Sequence, residues 1–257
     1  LLLGEEEVAQ QMSDRALNPD DVGRRLFKYR VHEPQLLRWL ESRPAPREGA
    51  LALDVGANIG WYSLVLDRLA GNTLQVHAFE PDPGNRALLQ ENVDLNRAAS
   101  VRVSDLALGD VNGPARLNRY RDINQGKHSL LPLEGCVGSI SVPVTTLDTY
   151  LAESNLTNAD IWLLKLDVEG HEPAVIRGAR AALARVGAII LEYSPMYYVR
   201  QEAQKMLAAL WATGLRPRWL DRDEWVPVAI PQLLALQEQR DTVWCRDQPG
   251  VQGGLAD

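Results

Sequence analysis

From residue 51 onward, short apolar runs alternate with stretches of helical periodicity, and few folds accommodate that rhythm. The runs at 51–55, 74–80, 101–108, 161–166 and 188–192 have the length of buried strands. Between them lie helical stretches at 59–70, after Asp82 (Leu88, Leu89, Val93), and after Pro173 (Val175, Ile176, Ala179, Ala182, Leu183). A helix near 202–213 and strand-like segments at 216–220 and 242–245 complete the pattern. Strands alternating with helices of about 10–15 residues predict an α/β fold: a mostly parallel sheet with helices on both faces. Local chemistry agrees. Gly71 suits a left-handed helix cap. Asp82 followed by Pro83 is a helix start, because the carboxylate caps free N–H groups and the ring is preset for the first turn.

The organisation follows from where the rhythm fails. Residues 1–48 read as an N-terminal helical extension, 49–248 as the main domain and 249–257 as a flexible tail. Within the extension, 1–19 are polar and 20–41 helical, with Pro34 in the first turn of a short helix carrying Leu36, Leu37 and Leu40. The Pro-rich stretch 42–49 is a linker. One internal segment, 119–138, is rich in Gly, Asn and Ser and has no clear period. Long irregular segments inside compact domains are usually functional or disordered.

Composition narrows the function classes. The formal net charge is −7 and the isoelectric point about 5.2. Phosphate binding needs an excess of Lys and Arg, so nucleic acid is not the expected partner. Two cysteines, Cys136 and Cys245, exclude a disulfide scaffold and a four-cysteine zinc site, and two free thiols are expected. The longest apolar run, 186–191, is far short of the roughly 20 residues of a membrane helix. The start has neither a signal-peptide pattern nor an initiator Met, which marks a trimmed or partial chain; cytoplasm is the default compartment.

Chemistry concentrates where strands end. Asp54-Val55-Gly56-Ala57-Asn58-Ile59-Gly60 joins the first strand to the first helix. Ligands of open α/β sheets sit beyond the carboxyl ends of the strands, at the switch point, and glycines let backbone approach them closely. The dinucleotide pattern Gly-x-Gly-x-x-Gly is absent, and a carboxylate at Asp54 would repel a pyrophosphate. It suits a cationic small molecule bearing an ammonium and a sulfonium. Glu80 closes the second strand about 20–25 residues on, one βαβ step, where an acid accepts both hydroxyls of a ribose. Asp54, Glu80, Asp105, Asp167, Glu169 and Glu192 all fall at or just beyond expected strand ends.

Four segments in order then resemble one family. These are residues 54–60, Phe79-Glu80-Pro81, Ala107-Leu108-Gly109-Asp110, and Leu164-Lys165-Leu166-Asp167-Val168-Glu169-Gly170-His171-Glu172. Over roughly 48–195 the chain is similar to the FkbM family of S-adenosylmethionine-dependent methyltransferases, the last segment being the most discriminating. The resemblance implies the class I methyltransferase sheet, a Rossmann-like sheet of seven strands with one antiparallel. It implies S-adenosylmethionine as cofactor and S-adenosylhomocysteine as product. Asp54, Gly56, Ala57, Asn58 and Gly60 would surround the methionine part, Glu80 the ribose, Asp105 and Leu106 the adenine, and Asp167 the sulfonium and acceptor.

The catalytic reading stays open at three points. His171 is a general-base candidate, its ordinary pKa being nearest neutrality. His128, in the irregular segment, is a second. Alternatively Asp167, Glu169 and Glu192 could hold Mg²⁺, which takes oxygen ligands; or neither applies, with Glu172 capping a helix and His171 packing. Lys165 is read as a buried stem with a paired ammonium or as catalytic, and His32 and His77 as structural. One or two of Trp211, Trp219, Trp225 and Trp244 could line an acceptor pocket. The expected activity is O-methylation of a natural product or sugar-containing acceptor. N-methylation of a peptide amide or amino sugar is the alternative, and a nicotinamide-dependent oxidoreductase or a catalytically silent binding protein comes behind. Expected partners are a small-molecule, peptide or sugar acceptor, with no membrane; a homodimer is compatible.

Overall fold

The computed structural model describes residues 32–120, 128–132 and 134–246. The expected helix over 20–31, the tail 249–257 and the middle of the irregular segment lie outside these. The first element is helix α1 (Pro34–Glu41), with Pro34 in its first turn as expected. It buries Leu36, Leu37, Trp39 and Leu40 in the same apolar cluster as Ala52, Leu64 and Val76 of the main domain. Strand β1 (Ala50–Val55) is wholly buried. Helix α2 (Trp61–Ala70), β2 (Leu74–Phe79), α3 (Pro83–Asn96) and β3 (Val101–Ser104) follow. Asp82 caps α3 by accepting from the Gly84 and Asn85 amides, as its sequence predicts.

The third strand is shorter than expected. It stops at Ser104, and Ala107–Leu108 (β4) belongs to a separate three-stranded sheet with β5 (Gly113–Tyr120) and β6 (Cys136–Thr145). The ends of the segment expected to be irregular are therefore strands, paired antiparallel from Gly113↔Val144 to Tyr120↔Cys136. Their faces are largely exposed, so no apolar alternation marks them.

The chain returns to the main sheet through α4 (Leu147–Glu153), β7 (Ile161–Leu166), α5 (Glu172–Arg177), β8 (Ala188–Tyr193) and α6 (Arg200–Ala212). It ends with β9 (Leu215–Asp221), β10 (Glu224–Pro227), α7 (Ile230–Ala235) and β11 (Arg240–Arg246). Helix α5 is shorter than the apolar stripe predicts, ending at Gly178, where an added Cβ would come 1.9 Å from the Gly109 carbonyl oxygen. The main sheet has eight strands rather than seven, in the order β10-β9-β11-β8-β7-β1-β2-β3. The extra strand is β10, a hairpin partner of β9 at the edge. Strand β11 runs antiparallel to both β8 and β9, and β1, β2, β3, β7 and β8 are mutually parallel. This is the expected α/β class, with apolar clusters on both faces of the sheet. No described helix is long and apolar enough to cross a membrane.

Register brings the strand ends level. Val55 pairs with Phe79 and with Leu166, Phe79 with Ser104, and Leu166 with Leu191. The next residue of each strand therefore falls on one line: Asp105, Glu80, Gly56, Asp167 and Glu192. The strand order reverses between β1 and β7, so the middle of this line is the switch point.

Candidate active site

The loop after β1 is pressed against the end of β7. The Asp167 amide donates to the Val55 carbonyl at 3.1 Å. A Cβ on Gly56, whose φ is +77°, would lie 1.8 Å from the Asp167 carbonyl oxygen. Only glycine fits there, since both the left-handed conformation and the close backbone approach exclude a side chain. Asn58 also has positive φ, and its amide donates to Glu80 Oε2 at 2.9 Å.

Glu80 is buried at the end of β2 and also accepts from the Asp82 amide at 2.9 Å. Burial pushes its carboxyl up to about 8, although the two amides favour the charged form. Asp54 is fully buried beneath the loop, where Ser63 Oγ donates to it at 2.6 Å. Lys165 reaches under the same loop from β7. Its ammonium donates to the Gly56 carbonyl and to Asp167 Oδ2, each at 3.1 Å, and lies 3.6 Å from Asp54 Oδ1. Burial opposes its charge, but Asp167 and Asp54 outweigh that and hold it protonated. The Tyr62 ring centroid lies 5.2 Å from the same ammonium.

Beyond β7 the chain turns sharply through Glu169 (φ 48°) and Gly170 (φ 98°). Glu172 organises this turn: its Oε1 accepts from the Val168 and Gly170 amides and its Oε2 from the Tyr198 hydroxyl. Burial raises its carboxyl to about 7 despite those donors. The turn gathers Asp167, Glu169 and Glu192, which alone among the described residues offer three such ligand oxygens within 4.8 Å of one another. Burial opposes ionisation of Asp167, yet Lys165 and a hydrogen bond from Glu192 keep it ionised; burial and Asp167 together push the Glu192 carboxyl well up. The two carboxyls therefore titrate as a pair.

A cleft runs along the line of strand ends, lined by Gly56, Asn58, Glu80, Leu106, Asp167, Val168, His128 and His171 among others. The structure therefore brings together Gly56, Asn58, Glu80, Leu106 and Asp167 of the expected cofactor residues. Asp54, Ala57 and Gly60 lie buried and off its lining, and Asp105 is exposed at the break between β3 and β4. His171 enters the cleft from the side of the second sheet, where a Cβ on Gly109 would lie 3.1 Å from its Nε2. Burial lowers its pKa. His128 lines the cleft near Asp82, 3.8 Å from Nε2 to Oδ2, and burial lowers its pKa too. His77 is structural as expected: buried, with the Tyr150 hydroxyl 2.8 Å from Nδ1 and its pKa lowered by burial to about 4.

Several contacts escape sequence reasoning. Arg119 of β5 donates to Asp82 at 2.7 Å and ties the second sheet to the start of α3. Ser129, buried, donates to the Glu169 carbonyl at 2.7 Å and ties residues 128–132 to the post-β7 turn. Glu33 accepts from the Tyr62 hydroxyl. Each joins residues distant in sequence, and only the Asp82-Pro83 cap gave any signal. Both cysteines are free thiols.

Residues 54–217 match the family model described as the Methyltransferase FkbM domain. The chain is 30% identical over 182 residues to the 2-O-methyltransferase NoeI of Sinorhizobium fredii, covering 64% of this chain and 69% of that protein. It is 33% identical over 164 residues to the 31-O-demethyl-FK506 methyltransferase FkbM of Streptomyces tacrolimicus, covering 53% and 62%. Among solved structures, the methyltransferase FkbM from Methylobacillus flagellatus KT aligns with a TM-score of 0.49 at 15% identity, over 94% of this chain and 57% of that one.

Proposed function

Because this chain belongs to the FkbM family of S-adenosylmethionine-dependent methyltransferases, we propose that it methylates a hydroxyl oxygen of a natural product or sugar-containing acceptor. The observation that carries the reading is Glu80: a buried carboxyl at the second strand end, level with Gly56 and Asp167, inside the cleft at the switch point. The two relatives named above, whose names specify oxygen positions, support oxygen over nitrogen.

When bound, S-adenosylmethionine supplies an electrophilic methyl group on a sulfonium. Glu80 would hold the ribose hydroxyls, and Gly56 and Asn58 would border the methionine part. Leu106 and Val168, with His171 at the foot of the second sheet, would enclose the adenine. In this reading Asp54 supports the loop from beneath through Ser63 and Lys165, without touching the ligand. Asp167, kept ionised by Lys165, orients the acceptor hydroxyl. Positioning then supplies most of the rate, since aligned reactants reach effective molarities of about 10⁵ M or more.

A divalent ion would need Asp167, Glu169 and Glu192 ionised, whereas burial and the neighbouring Asp167 favour the protonated Glu192 carboxyl; the cluster is therefore read without a metal. Product mass spectrometry with a deuterium-labelled methyl donor and a panel of hydroxyl and amide acceptors tests the proposal. Label on oxygen, with turnover unchanged by a chelator, is expected. Label on nitrogen would overturn the acceptor atom, and loss of turnover with EDTA would restore the Mg²⁺ reading.

A further inference from the structure

His128 lines the cleft together with Glu80, Pro81 and Leu106. Its side chain is 13% exposed, and its Nδ1 is buried with no hydrogen-bond partner among the described residues. A buried polar atom left without a partner is costly and calls for an explanation. A ligand that supplies the partner is one.

The ring is held in place. The backbones of Asn118 and Ser129 exchange hydrogen bonds of 2.8 and 3.1 Å, which anchors the next residue to β5. The Ser129 hydroxyl ties the same segment to the Glu169 carbonyl. On its other edge the imidazole turns Nε2 toward Asp82, 3.8 Å from Oδ2. That is longer than a hydrogen bond, but a carboxylate at this range favours the tautomer with its proton on Nε2. Asp82 is itself fixed, accepting from Arg119 and from the Gly84 and Asn85 amides. Burial lowers the pKa of His128 and Arg119 works in the same direction, against Asp82, so the neutral ring is favoured. Nδ1 then carries a lone pair and can only accept.

S-adenosylmethionine carries three kinds of donor: its ammonium, its ribose hydroxyls and the exocyclic amine of adenine. The Gly56 loop borders the methionine part and Glu80 the ribose, which leaves the amine without an acceptor. Asp105, expected there, is exposed and off the cleft lining. We propose that His128 is a specificity-determining residue for the cofactor, its Nδ1 accepting a hydrogen bond from the exocyclic amine of adenine. The proposal rests on the methyltransferase reading above, and it moves His128 from a base at the acceptor to the adenine end of the cleft. Asp82 sets the tautomer and Arg119 of β5 holds Asp82, so the second sheet takes part in recognising the cofactor.

The test changes the donor on the ligand as well as the acceptor on the protein. S-inosylhomocysteine has a carbonyl oxygen where S-adenosylhomocysteine has the amine. In calorimetry of the full chain, the wild type should bind the adenosyl ligand about tenfold more tightly, because the inosyl oxygen would face another acceptor. In His128→Leu the preference should shrink to about twofold or less, since the adenosyl ligand loses its partner and the inosyl ligand its clash. His128→Gln should bind both ligands and also lose the preference, because its amide can turn either end to the cleft. Glu80→Gln should weaken both ligands alike and keep the preference, the ribose being common to them. Comparing two ligands on one variant cancels any loss of folded protein. No binding of S-adenosylhomocysteine by the wild type would sink the methyltransferase reading itself. Binding without a preference for the amine, or a preference that survives in His128→Leu, would overturn the role of His128 alone.

Discussion

Replacing Glu80 by glutamine should make the protein a weaker binder and a more alkali-tolerant fold at once. The folded carboxyl titrates at about 8 against an ordinary 4.5, because burial outweighs the two amides that donate to it. A folded state that prefers the proton has its stability in full below pH 4.5 and loses it as the pH rises through 8. Linkage puts the loss between pH 5 and pH 8 at roughly 3–4 kcal/mol, taking 1.36 kcal/mol per pKa unit. Glutamine does not titrate, so Glu80→Gln should lack this slope. It also forfeits an acceptor for one amide, a cost of about 1–3 kcal/mol, but that cost is independent of pH. Denaturant unfolding of both proteins at pH 5 and pH 8 therefore isolates the carboxyl: the difference in stability should move by roughly 3–4 kcal/mol toward the variant. Calorimetry supplies the functional half. Affinity for S-adenosylhomocysteine should fall about tenfold or more, from hydrogen bonds to a charged group worth roughly 1.5–3 kcal/mol. Near pH 7 the wild type should release protons on binding and the variant fewer. Parallel stability curves over that pH range would refute the buried, protonated carboxyl, and an unchanged affinity would remove Glu80 from the cofactor site.

Gly56→Ala should destabilise the fold and abolish cofactor binding, since its Cβ would meet the Asp167 carbonyl; Gly49→Ala, at the same φ of +77° with nothing within 4 Å, should cost only about 1–2 kcal/mol in thermal or denaturant unfolding. Equal losses would show that the contact with β7 is unimportant. Lys165→Met leaves buried Asp54 without its neighbouring cation and should cost about 3–5 kcal/mol; adding Asp54→Asn should restore part of that in a double-mutant cycle, and strict additivity would deny the coupling. Asp82 is held below its ordinary value of 3.8 by Arg119 and the capping amides despite burial, so it stabilises the fold above that pH and ceases to as the pH falls through its lower folded value. Arg119→Ala should therefore reduce acid tolerance and speed amide exchange at Ser129 and Leu131, and unchanged exchange would mean that the second sheet is held by other contacts.

The main sheet was legible because its signals are local. Strands β1, β2, β7 and β8 are short apolar runs, and Gly56, Glu80 and Asp167 stand immediately after the paired residues Val55, Phe79 and Leu166. What escaped depends on three-dimensional placement. Val101, Val103, Leu106 and Leu108 fall in one largely apolar run broken only by Arg102, Ser104 and Asp105, and that run does not mark the break after Ser104 where the chain passes to a second sheet. The exposed strands β5 and β6 bury few side chains and so carry little pattern. His171 is a base candidate by its ordinary pKa and its place in the loop after β7; it lines the cleft with Asp167, but nothing local in the sequence shows that it also packs beside Gly109.

The acidic edge poses an energetic question that its neutralisation answers in part. Glu80, Asp167, Glu192 and Asp241 stand in a row on four strands, and isolated buried carboxylates are too costly to keep. Three different devices relieve them. Glu80 takes a proton, Asp167 takes Lys165, and Glu192 is pushed toward its protonated form by burial and by Asp167. Each device is reversible by a ligand of the matching kind. A diol presented to Glu80 replaces the proton with two donors, and a sulfonium near Asp167 adds a cation where Lys165 already holds the carboxylate open. Cofactor binding should accordingly be more pH-dependent than folding is salt-dependent, since proton exchange at buried groups escapes the screening that weakens exposed ion pairs.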